Sequence, residues 1–77
     1  MSNEQKQVLV HIQDEMDVSQ RSWLEAKLDH ENGINAAWFD TDDPHRLVVQ
    51  YEPDHFSHVT MLDTVKQYGF HGEIIDN

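Results

Sequence analysis

Cysteine is missing from this chain altogether. That excludes disulfides, thiolate metal ligands and a cysteine nucleophile. Basic residues are scarce: five Lys and Arg stand against fifteen Asp and Glu, a formal charge of −10 with the six histidines neutral. Such a deficit works against nucleic acid, whose binding depends on cations that neutralise phosphate, and against anionic membrane surfaces. No apolar run approaches the roughly 18 residues that a membrane span needs. Residues 1–7 are polar and lack the apolar stretch of a signal peptide, so the expectation is a soluble, cytoplasmic protein. With only three glycines there is no Gly-rich phosphate loop.

What is present suits one small domain. Residues 1–77 form the expected unit, with its core over about 7–75, and a chain this short buries only about 60% of its unfolded surface. There is room for one sheet and a layer of helix, without a deep enclosed cavity. No nucleophile–base arrangement or converging carboxylate pair stands out, so an enzyme is not expected. The 38% hydrophobic content and the aromatics (Trp 2, Tyr 2, Phe 3) suffice for a compact core.

Val8, Val10 and Ile12 alternate with Leu9 and His11, which predicts a first strand. Residues 13–17 form an acidic loop, and residues 18–30 read as a helix with Leu24 and Leu28 one turn apart and Trp23 on its flank. Asp17 or Ser19 supplies the N-cap, and Asn32-Gly33 the stop. Residues 34–40 and 46–51 make two strands around the turn Thr41-Asp42-Asp43-Pro44-His45, an antiparallel hairpin. Ser57 caps a second helix whose Met61, Leu62, Val65 and Tyr68 follow three-and-four spacing, Gly69 closes it, and residues 70–75 form the last strand.

The order βαββαβ predicts an α+β, ferredoxin-like sandwich, a four-stranded antiparallel sheet with both helices on one face. The helix-covered side takes Val8, Val10, Ile12, Leu24, Leu28, Ile34, Ala37, Phe39, Leu47, Val49, Met61, Val65 and Ile74. The open side takes Leu9, His11, Trp38, Val48 and Gln50. Exposed aromatics in an apolar patch mark protein contacts, so Leu9, His11, Trp38 and Val48 form a candidate interaction face, for a protein partner or for self-association.

From Val8 to Ile75 the chain resembles the heavy-metal-associated domain of copper chaperones, mercury-binding proteins and metal-pumping ATPases. The stretch Gly33-Ile34 through Arg46-Leu47-Val48-Val49-Gln50-Tyr51-Glu52-Pro53 carries most of the likeness, with Ser57, Met61, Val65 and Gly69-Phe70 following the second helix and its exit. The resemblance implies a metal-binding module whose Met-x-Cys-x-x-Cys motif sits after the first strand, where paired thiolates take a soft ion. Here Met16 opens the corresponding segment, and the cysteine positions fall on Val18 and Arg21, or on Asp17 and Gln20 one residue earlier. Apart from Met16, neither register offers sulfur, and Arg21 brings positive charge. The expectation is a degenerate member of that family that acts by protein contact.

The histidines supply an alternative set of ligands. His55-x-x-His58 straddles the start of the second helix, and Asp54 adds an oxygen, a set suited to a divalent transition metal such as Zn, Ni or Cu(II). His11 and His71 form a second pair if their rings meet across neighbouring strands. His30 and His45 read as surface residues, and Asp40-x-Asp42-Asp43 as the hairpin turn, without the glycine and distal glutamate of an EF-hand loop. A third reading is a small regulatory domain that binds a ligand. Protonation of all six histidines would move the charge from −10 to −4 (six added positives).

Overall fold

Period-two patterning and β-branched residues set the strands, and two side-chain caps set the helices. The computed structural model describes residues 6–54 and 56–76, with the side chains of His58 and Asp76 outside the described set. The order is β1 (Lys6–Ile12), α1 (Val18–Asp29), β2 (Ile34–Phe39), β3 (Arg46–Tyr51), α2 (His58–Gln67) and β4 (Gly72–Asp76). The strands form one sheet in the order β2-β3-β1-β4, every neighbouring pair antiparallel. This is the ferredoxin-like sandwich expected from the sequence.

Asp17, not Ser19, is the N-cap of α1. Its carboxylate accepts the Gln20 amide at 2.8 Å and the Gln20 side chain accepts the Asp17 amide at 3.0 Å, a reciprocal pair that satisfies two orphan donors. Ser57 caps α2, its hydroxyl accepting the Thr60 amide at 3.2 Å. Past α2 the chain turns at Gly69 with φ of 96°, a left-handed value that glycine adopts without strain. Trp23 of α1 meets Tyr68 edge-on at 5.4 Å, and the Tyr68 hydroxyl donates to Glu31 at 2.6 Å, tying the ends of the helices together. That hydrogen bond to a carboxylate, with burial second, raises the Tyr68 pKa.

The core lies between the sheet and the helices. Val8, Val10, Ile12, Leu24, Leu28, Ile34, Ala37, Phe39, Leu47, Val49, Met61 and Val65 are all buried in one cluster. Ile74, expected among them, is only half-buried against it, because β4 is an edge strand. Tyr51 and Phe56 join the core, their rings 6.3 Å apart. Ile34 and Ala37 are three residues apart, so strict alternation would place them on opposite faces. An irregularity leaves Asn35 unmatched between the pairs Ile34↔Tyr51 and Ala36↔Gln50, which brings both inward and leaves Trp38 outward.

Candidate functional site

The loop between β1 and α1, where thiolates are implied by the resemblance, is built from helix-capping and loop-tethering contacts. Asp17 and Gln20 are committed to each other as the helix cap. The Arg21 guanidinium donates to the Met16 carbonyl at 2.7 Å, and Met16 packs against the core. Val18 is 69% exposed. In either register, then, the cysteine positions hold residues that start a helix or face solvent. The loop is also fastened to the entry of β4: the Gln13 amide donates to the His71 carbonyl at 2.8 Å, and the Asp14 carboxylate accepts the His71 amide at 2.6 Å. The bond from the His71 backbone, aided by its imidazole at 3.2 Å, holds the Asp14 carboxyl below its ordinary value of 3.8 against a smaller opposing cost of burial.

His11 does not meet His71. Its ring stacks on His45, centroids 5.6 Å apart, while His71 turns to Asp14. The reason is register: across β1 and β4, His11 faces Glu73, and His71 lies before the strand begins. His45 is no plain surface residue either. It is half-buried, its Nδ1 is 2.7 Å from the Ile12 carbonyl, and its Nε2 is 4.0 Å from Glu15. The pair His55 and His58 lies outside the described residues (His58 by its side chain), and Asp54 is exposed in the turn beside them. Among the described residues, no group of three or more His, Asp or Glu is placed to hold a metal ion.

The carboxylates of the acidic turn shape the turn itself. Asp40 accepts the Asp42 amide at 2.9 Å and pairs with Arg46 at 3.2 Å, while Asp43 accepts the His45 amide at 3.0 Å. These are the bonds of a tight hairpin.

The open face of the sheet is where an unexplained surface remains. Trp38, Val48 and Leu9 pair in register across β2, β3 and β1. Ile75 of β4 completes the row: it is the extra residue at the irregularity between Leu9↔Asp76 and Val10↔Ile74, and it alternates with the core-facing Ile74. An apolar stripe thus crosses all four strands. Its ends are open, Trp38 at 39% and Ile75 at 44% exposure, whereas Val48 in the middle is only 7% exposed and stands outside the core cluster. Alternation alone places Val48 in open solvent; in the fold it is buried. Ile75 is missing from the face expected from the sequence, although Ile74 in the core implies it by alternation. The placement of Ile74 is the available signal. On one side of the stripe run the polar Gln7 and Gln50, bonded at 3.3 Å, and on the other Arg46, His11 and Glu73.

Comparison with known proteins agrees with this architecture. No protein-family model and no curated protein matches the sequence. Solved structures do. A copper-binding domain from HMA7, a P-type ATPase, superposes with a TM-score of 0.82 at 20% identity, over 91% of this chain and 93% of its own. The solution structure of a copper form of a CopA variant from Bacillus subtilis gives 0.81 at 18% identity over all of both chains. The N-terminal soluble domains of Bacillus subtilis CopA give 0.81 at 18% identity over 92% of this chain and 48% of that one. The chain therefore has the fold of the heavy-metal-associated domain, on a sequence with no cysteine.

Proposed function

We propose that this chain is a non-enzymatic binding module that works through protein contacts on its open sheet face, in a metal-handling setting and without a thiolate site. One observation carries the reading: the row Trp38, Val48, Leu9 and Ile75 crosses the whole sheet, with Trp38 and Ile75 exposed at its ends and Val48 buried between them. Solvated apolar rows of this kind are stabilised by a covering surface. The structural likeness to copper-binding domains of P-type ATPases supports the setting. The capping bonds of Asp17 and Gln20, and the Arg21 contact to Met16, support the loss of the ion from the loop.

Titration of the 15N-labelled chain with Cu(I) and Zn(II) tests the reading. Amides of residues 13–21 are expected to stay in place at one equivalent of either ion. Stoichiometric Cu(I) capture that moves them would sink it. The alternative, a divalent ion held by His55, His58 and Asp54, rests on sequence spacing, and a shift of the His55 and His58 imidazoles at one equivalent of Zn(II) would establish it instead.

A further inference from the structure

The charge around the stripe selects its occupant. Of the five cationic side chains, Lys27 and Lys66 stand on the helices, Arg21 is held at Met16, and Lys6 shares the parity of the core-facing Val8 and Val10 on β1. Arg46 is the one cation beside the stripe among the described residues. Its guanidinium is shared between two carboxylates, Asp40 at 3.2 Å and Asp43 at 3.9 Å. That rim is therefore net negative before Glu73, at the other end of the same row, is added. We propose that the sheet face docks a cationic polypeptide segment, which lays apolar side chains along Trp38, Val48, Leu9 and Ile75 and sets Lys or Arg against the rim of Asp40, Asp43 and Glu73. This rests on the docking function proposed above and names the partner's chemistry.

A second copy of the chain is a poor occupant. Four partly covered side chains supply little of the roughly 800 Å² per partner that a stable interface buries. The remainder must come from complementary charge, which steers association and fixes register. Two copies, each carrying −10, bring like rims together instead.

Two synthetic peptides test this against the 15N-labelled chain, one alternating Leu with Lys and the other Leu with Glu. The Lys peptide is expected to move the amides of Leu9, Trp38, Val48 and Ile75. Trp38→Ser should weaken it at least tenfold, while the Glu peptide leaves the spectrum unchanged. Ile75→Ser repeats the comparison if Trp38→Ser does not fold. Equal binding of both peptides at the stripe would overturn the charge assignment and leave the docking face standing. Shifts confined to the helices and acidic loops, or a Lys peptide indifferent to both variants, would overturn the docking face as well. A dimer in sedimentation that Trp38→Ser abolishes would make the occupant a second copy, and overturn the proposal.

Discussion

Asp14 and Asp17 sit three residues apart in one loop and do different work. The cap of α1 was readable to within two candidates, Asp17 or Ser19, because a cap is local, and the reciprocal bonds with Gln20 choose Asp17. Asp17→Ala should cost about 1 kcal/mol, read as a lowered urea midpoint with unchanged slope. An unchanged midpoint would refute the cap's role. Asp14 was not readable, since its partner His71 is 57 residues away. The depressed carboxyl pKa makes a pH prediction. The folded chain holds Asp14 ionised more strongly than the unfolded chain does, so its contribution is present in full above the ordinary value of 3.8 and is lost as pH falls through the lower folded value. Asp14→Asn should therefore be less stable than the parent at pH 7, with the gap narrowing below about pH 4. Paired urea melts across that range check it. A gap that stays constant would mean the carboxylate's charge plays no part.

Among the elements, all six lay open in the sequence because each has its own period and its own stop. The Ser57 cap, the hairpin turn and nearly all of the core followed from local pattern. The irregularities did not. Pairing decides where a strand gains a residue, so the displacement at Asn35 and the half-burial of His45 against Ile12 became visible only across strands. The candidate face was legible in part: alternation gives Leu9, His11, Trp38 and Val48, but pairing puts His11 in the neighbouring row with Arg46 and Glu73, and Ile75 takes the fourth place. Gly72 shows how tightly that strand is seated. A Cβ added there would lie 2.9 Å from Val10 Cγ1 and 3.3 Å from Ile12 Cδ1, both core side chains. Gly72→Ala should cost about 1–3 kcal/mol through overpacking. Thermal melts would measure it, and the amides of Val10 and Ile12 should shift. A neutral substitution would mean that β4 pulls away from β1 at little cost.

For the molecule as a whole, charge is the feature that packing does not explain. Fifteen acids and five bases share a body with a radius of gyration of 11.7 Å. Few of them are neutralised by close pairs: among the described residues Arg46 meets two carboxylates, while Lys27 leans over the Trp23 ring at 5.6 Å. At about 0.01 M salt the screening length is about 30 Å, so every excess acid repels every other through the whole fold. At about 0.1 M it is about 10 Å, and distant pairs fall silent. Unfolding spreads the same charges apart, so repulsion penalises the compact state most at low salt. Raising NaCl from about 0.01 M to 0.1 M should therefore stabilise the chain by about 1 kcal/mol, or roughly 4–8 °C in Tm for a domain of this size. The same added salt should weaken a cationic partner on the sheet face, because the field that strains the free fold is the one that draws the partner in. Opposite signs for stability and binding are the signature of that shared cause. A Tm that ignores salt would show that the acids sit too far apart to matter, and with it the charge-based choice of partner would lose its footing.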